Sequence, residues 1–334
     1  MTLRFVATSL MVLALAGCGG NPFVPDETPD EEAPLGGTGN AAGSSLTRYE
    51  KLDEDTGNGY VTKVDYDEGD PLDSTDDTFL VDNLAFDGQA YSQNAVGTGV
   101  VGNPDFAVYE NPDLLTDPLS GATIDSFLHR AIYGQGESTR FTIVRTGAYE
   151  GYGFGGFLFS RTGGMTFPTD LGPSGVAIYT GGYAALRDFV GQTGLEYATG
   201  SMEIAIDFND FNSGDAVAGQ VTDRKIYDLN GVEVTQDVID ALNTNNSSAL
   251  TELPTLVFAV GPGVISDAGE VTGELRSTTP TTDGPVVYES GNYYAILSGE
   301  GLDQEVVGVI VVTSEDPRAE NVGVRETGGF ILYR

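Results

Sequence analysis

The 334-residue sequence has one cysteine, one histidine and no tryptophan. A lone Cys closes no internal disulfide, and one Cys with one His supplies neither a Cys/His zinc site nor a convincing Cys-His dyad. Positive charge is also scarce: 15 Lys and Arg stand against 50 Asp and Glu, a net charge of −35. Such a chain repels phosphate backbones and anionic lipid headgroups, which excludes nucleic acid as a partner. No apolar run approaches the roughly 20 residues of a membrane-spanning helix. What is present is enough for a sizeable core, since 40% of the residues are hydrophobic, while 46 Gly and 15 Pro promise many turns.

Residues 1–17 read as a signal peptide: Arg4 near the start, an apolar run from Phe5 to Leu15, then Ala16 and Gly17. Leu15-Ala16-Gly17-Cys18 resembles the lipobox of bacterial lipoproteins. That resemblance implies cleavage before Cys18, its diacylation, and acylation of the new amino terminus; several chains together anchor stably where one does not. Gly19 rather than Asp after the cysteine favours the outer membrane. Residues 18–45 follow as the lipidated Cys and a flexible acidic linker, with Asp26, Glu27, Asp30, Glu31 and Glu32 close together and few large apolar side chains to offset ordering entropy.

Beyond the linker the hydrophobic period becomes two. Tyr60, Thr62, Val64 and Tyr66 alternate with Val61, Lys63, Asp65 and Asp67, and Met202, Ile204, Ile206 and Phe208 alternate with Ser201, Glu203, Ala205 and Asp207. Similar segments at 78–86, 139–146, 174–180, 217–227, 255–260, 293–297, 305–313 and 322–333 are separated by Gly, Asn, Asp or Pro. The pattern is that of an antiparallel sandwich or barrel. Asn230-Gly231 predicts a type I′ hairpin turn. One short helix is expected, with Thr235 as N-cap and Val238, Ile239 and Leu242 on its apolar side. A boundary near Pro168–Pro173 separates a β-rich domain, 46–167, from a second, 168–334. Gly151, Gly153 and Gly155 share a strand face where a ring or backbone can approach closely, and no Lys or Ser/Thr follows them in the spacing of a phosphate loop.

Ser174-Gly-Val-Ala-Ile-Tyr-Thr-Gly181, Gly200-Ser-Met-Glu-Ile-Ala-Ile-Asp-Phe208, Tyr294 to Gly308 and the closing Gly328-Gly-Phe-Ile-Leu-Tyr-Arg334 resemble the β-barrel domain of the transferrin-binding protein B and factor H-binding protein family of surface lipoproteins. The likeness covers about residues 168–334 and implies an eight-stranded antiparallel β-barrel, preceded by a smaller β-rich domain, on a lipid-anchored protein. An insertion, Asp170-Leu-Gly-Pro173, lengthens the entry to the barrel. Residues 46–165 show no close likeness to either protein, so neither's ligand carries over. Residues 165–334 are expected to fold alone, since the barrel closes its own ladder and the Pro-rich connection before it reads as a boundary.

Chemistry is sparsely marked. His129 lies beside Arg130, with Asp125 and Ser126 nearby, but linear spacing supports no triad. Asp53, Asp55, Asn58 and the Gly59 carbonyl form one oxygen-rich stretch; Asp207, Asn209, Asp210, Asn212 and Asp215 form another. Either offers calcium ligands, though neither matches a calcium-loop pattern, and 'DFNDFNSGD' reads more simply as a strand end entering a turn. No catalytic residue and no cofactor is assigned. The expectation is an all-β, lipid-anchored outer-membrane or surface lipoprotein acting as a binding module for a protein or solute. The alternative is a structural envelope or adhesion protein stabilised by calcium.

Overall fold

The computed structural model describes residues 35–53, 56–67, 69, 77–81, 90–111, 115–116, 119–121, 123–124, 129–147, 154–210, 216–259 and 265–334. The first part is a curled antiparallel sheet. Its elements are β1 (Leu35–Thr38), β2 (Leu46–Glu50), β3 (Val64–Asp67), β4 (Thr78–Val81), β5 (Ala90–Gln93), helix α1 (Ala95–Val101), β6 (Phe106–Glu110), β7 (Leu115–Thr116), β8 (Thr123–Ile124), β9 (His129–Gln135), β10 (Thr139–Thr146) and β11 (Phe154–Arg161). Nine strands pair in the order β1-β2-β11-β10-β9-β6-β5-β4-β3, with β7 and β8 as a separate ribbon.

The second part is a closed eight-stranded antiparallel barrel. It comprises β12 (Val176–Val190), β13 (Leu195–Asp207), β14 (Val217–Asp228), β15 (Leu256–Phe258), β16 (Glu270–Thr281), β17 (Gly284–Ser298), β18 (Glu305–Glu315) and β19 (Gly323–Tyr333). Strands β19 and β12 pair from Thr180 with Tyr333 to Val190 with Gly323, which closes the ladder and removes free edges. The alternation on β13 is as expected: Met202, Ile204 and Ile206 face the interior while Ser201 and Glu203 face solvent. Helix α2 (Thr235–Asn246) packs Val238, Ile239 and Leu242 into that interior. Ile206→Asp should therefore cost several kcal/mol, since it places an unpaired charge among apolar side chains, whereas Glu203→Lys should be nearly neutral. Denaturant melts of the two variants check this.

Four local expectations change. The linker was expected to run to residue 45, yet Leu35–Thr38 pairs with Thr47–Glu50, because buried Leu35 has an apolar face to join. At the start of β3, Val61 is buried although the alternation puts it on the wet face; the strand begins only at Val64. Asn230-Gly231 is not a type I′ turn, which needs positive φ at both residues. Gly231 has φ 81° and Asn230 is not positive, and Asp228 accepts from the amides of Asn230 and Val232. Thr235 is the first helical residue rather than the cap; Val234 is the cap, and the Thr235 hydroxyl accepts from Ile226 N–H at 2.9 Å.

Sheet and barrel share a core. Phe106, Ile132, Phe141, Ile143, Phe157 and Phe159 of the sheet pack on Ala184, Leu186, Tyr197, Ile296, Val307, Val309 and Ile331, which point outward from the barrel. Phe141 lies so close to Gly329 that a Cβ there would sit 2.2 Å from its ring. Gly155 (φ 153°) has a comparable constraint, as its Cβ would meet the Val144 carbonyl at 1.9 Å. Gly151 and Gly153 lie outside the described residues.

Arginines stitch this seam. Arg145 reaches both oxygens of Asp188 at 2.9 Å, and Arg161 donates to the carbonyls of Ala268 and Leu297 at 2.7 Å. Arg48 pairs with Glu270. Burial lifts the Glu270 carboxyl to about 7, against the opposing pull of Arg48 and Arg161. Its folded pKa lies above its unfolded value, so its stabilising contribution is full below about pH 4.3 and is lost as pH rises towards 7. Glu270→Gln should abolish that component. Relative to it, the parent chain should lose up to about 3 kcal/mol between pH 4.3 and 8 in urea melts.

Candidate functional site

Where the sheet edge meets the barrel, two adjoining cavities of about 410 and 320 Å³ share Asp105, Gln135 and Gly136. The α1–β6 turn, the β9–β10 turn, β3 and the segment before β4 supply the sheet side. The β17–β18 connection and the end of β19 supply the barrel side of the smaller cavity, while the larger is lined by the sheet part alone. Tyr66, Tyr109 and Tyr133 wall the larger cavity, with ring centroids 4.6 Å apart for Tyr66–Tyr133 and 6.3 Å for Tyr66–Tyr109.

The hydrogen bonding here is acidic and uncompensated. Asp77 Oδ2 accepts from the hydroxyls of Tyr66 and Tyr109, each at 3.1 Å, while its Oδ1 is buried and accepts no hydrogen bond. Asp105 accepts from the Tyr333 hydroxyl at 2.8 Å. Glu305, 2% exposed, accepts from the amides of Glu137 and Ser138 and from the hydroxyls of Ser138 and Thr139. It thereby caps the β9–β10 turn across the seam.

All of these donors are neutral. The buried carboxylates Asp188, Glu270, Glu289, Asp316 and Glu326 each pair with arginine, and Glu305 does not. Among the described residues no lysine or arginine lines either cavity. Arg334 is nearby but pairs with Asp170 and donates to the Gly301 carbonyl. The field shows in the phenols: burial first, then Asp105, Glu305 and Glu137, push up the pKa of Tyr333. For Tyr109, burial is followed by Tyr66 and Asp77.

The residues singled out in the sequence lie elsewhere. His129 is 1% exposed on β9, its ring 6.3 Å from that of Phe154, and a side chain so enclosed does not reach a solute. Arg130 pairs with Glu110 at 2.8 Å. Asp125 and Ser126 lie outside the described residues, as do Cys18, Asp55, Asn212 and Asp215. Asp53 accepts from Thr56 N–H to close a turn, and the Asn58 amide oxygen accepts from Arg145 at 2.9 Å. Gly59 N–H donates to Glu50. Asp207 accepts from Asn209 N–H at 2.9 Å, as expected of a strand end entering a turn; Asp210 lies exposed beyond it. Among the described residues no group of three or more His, Cys, Asp or Glu is placed to hold a metal ion. The acids at the seam carried no linear signal, because Asp77, Asp105 and Glu305 are widely separated in a chain with 50 acidic residues.

No family model and no curated protein matches the chain. Among solved structures it is similar to two mutant forms of the vaccine antigen transferrin-binding protein B of Haemophilus parasuis Hp5. One, a double mutant, is 13% identical with a TM-score of 0.33, and covers 87% of this chain and 52% of that one. The other, a single mutant, is 14% identical with a TM-score of 0.32, and covers 91% of this chain and 62% of its own. The chain thus spans 52% and 62% of the length of these two structures. Likeness at this level says nothing about a ligand.

Proposed function

We propose that this chain is a lipid-anchored outer-membrane lipoprotein, exposed at the cell surface, whose β domains form a binding module for a positively charged protein or solute. It performs no chemistry on what it binds. The observation that supports the reading is the fate of its cations. Of 15 Lys and Arg in the sequence, Arg48, Arg130, Arg145, Arg161, Arg187 and Arg224 are buried and engaged with carboxylates or carbonyls inside the fold. Asp188, Glu270, Glu289, Glu305, Asp316 and Glu326 are buried with them, so the outward-facing charge keeps the strong acidic excess of the composition with few cations left to interrupt it, and a cationic partner is drawn to it over roughly a Debye length. The anchor rests on Cys18 and the small residues before it.

Fractionation tests the anchor. Cys18→Ser should move the protein from the membrane to the soluble fraction, and membrane retention of the variant would count against lipidation. Binding kinetics test the module. A partner's association rate should fall several-fold as salt rises from about 0.05 to 0.5 M while its dissociation rate changes less. An association rate indifferent to salt would sink the electrostatic reading.

A further inference from the structure

We propose that the tyrosine-walled cavity at the seam is a subsite for an organic cation, an alkylammonium or guanidinium group, held between Asp77, Asp105 and the face of Tyr66. The inference rests on the binding-module reading and locates where its cationic partner is gripped. Three observations carry it together.

A volume of about 410 Å³ lies within the range of small-molecule sites and well exceeds one basic side-chain head. Tyr66 presents part-exposed aromatic surface, backed by the buried rings of Tyr109 and Tyr133, and a ring face attracts a cation more strongly as water is excluded. Finally, the carboxylates are satisfied only by neutral hydroxyls and amides, and Asp77 Oδ1 is buried with no donor. In a fold that gives arginine to Asp188, Glu270, Glu289, Asp316 and Glu326, a part-buried acid with one enclosed oxygen and no cation carries a desolvation cost that an incoming cation relieves. A metal ion fits less well. A hard divalent cation takes six or more converging oxygens, and the acids here are too dispersed to form a metal cluster.

The group can come from a free small molecule or from a lysine or arginine of a partner protein. Calorimetry at about 0.15 M salt on the mature, unlipidated full chain separates these. The probes are tetramethylammonium, free L-arginine, a hexa-arginine peptide and, as a neutral control, glucose. Saturable one-site binding of hexa-arginine is expected, weakened about tenfold or more by Asp77→Asn, by Asp105→Asn and by Tyr66→Ala. Asp283→Asn, an exposed acid in the β16–β17 turn at the opposite end of β17 from Ser298, should leave it unchanged. Binding of the peptide without the free cations assigns the subsite to a partner's side chain, and equal binding of the free cations assigns it to a small solute.

Asp105 and Tyr66 are part-exposed, so their variants report even if Asp77→Asn impairs folding, which thermal melts will reveal. Peptide binding that is identical in parent and cavity variants would overturn the subsite while leaving the acidic-surface module standing. Preference for glucose would overturn the ligand class. No binding of any cation would overturn both readings.

Discussion

Arg224→Met should lower stability by about 3–5 kcal/mol, a large fraction of the roughly 5–15 kcal/mol of an ordinary domain. Arg224 projects from β14 into the barrel and donates to both oxygens of Glu289 at 2.7 Å. It also reaches both oxygens of Glu326 at 3.1 Å, and the Pro254 carbonyl at 3.0 Å. Tyr183 and Ser277 complete the carboxylates' shells at 2.8 and 2.6 Å, and Arg187 approaches Glu326 at 3.3 Å.

Removing Arg224 leaves two buried carboxylates facing one remaining guanidinium, so the cost is that of charge stranded away from water rather than of one lost contact. Burial alone would raise the Glu289 pKa, but Arg224, Ser277 and Arg187 pull it below the usual value. The parent's stabilisation from this group is therefore full above about pH 4.3 and lost as pH falls through the lower folded pKa. In the variant the opposing pull is weaker, so the difference between the two proteins should shrink on acidification. Adding Glu289→Gln and Glu326→Gln should recover most of the loss at pH 7. A loss below about 1 kcal/mol, as for an exposed pair, or a triple variant no better than the single, would show that the network is not a closed unit.

That network also marks what sequence reasoning could reach. The inward positions of β13 and α2 were legible because Met202, Ile204, Ile206, Val238, Ile239 and Leu242 repeat with the period of their element, and only an apolar interior rewards that repeat. Strand β16 was not, because Glu270–Thr281 is rich in Thr, Ser and charge. Its inward Leu275, Ser277 and Thr279 are buried, but Ser277 is buried against a carboxylate rather than against apolar atoms.

The candidate site was invisible for a different reason. Asp77 and Asp105 come together through strand pairing within the sheet, and Glu305 joins Asp105 only where the barrel meets the β9–β10 turn; what distinguishes them is the absence of an arginine that other acids possess. Such a contrast is a property of the fold, and no local pattern encodes it. His129, Asp53 and Asp207 attracted notice as residue types, and each proves to be committed to the core or to a turn.

The barrel expressed alone, residues 165–334, should fail to give a soluble monomer, contrary to what closure of its hydrogen-bond ladder suggests. Closure satisfies the backbone but leaves Leu186, Ile296, Val307, Val309 and Ile331 on the outer wall, each at most 1% exposed beneath the sheet. At about 1.5–3 kcal/mol for each aliphatic side chain, uncovering five of them costs on the order of 10 kcal/mol, comparable with the whole stability of a domain. Polar losses add to this. Asp188 loses Arg145, Glu270 loses Arg48, and the carbonyls of Ala268 and Leu297 lose Arg161.

The exposed stripe lies on neighbouring strands and is continuous, which favours association between copies. The isolated barrel should therefore bind a hydrophobic dye and run as aggregates in size-exclusion chromatography. Replacing the five side chains with Thr, Lys and Glu should restore a monomer if the interior core alone can sustain the barrel. A monodisperse, dye-negative parent fragment melting within a few degrees of the full chain would show instead that the sheet is an appendage. In that case the seam, and the smaller cavity that spans it, would be free to open.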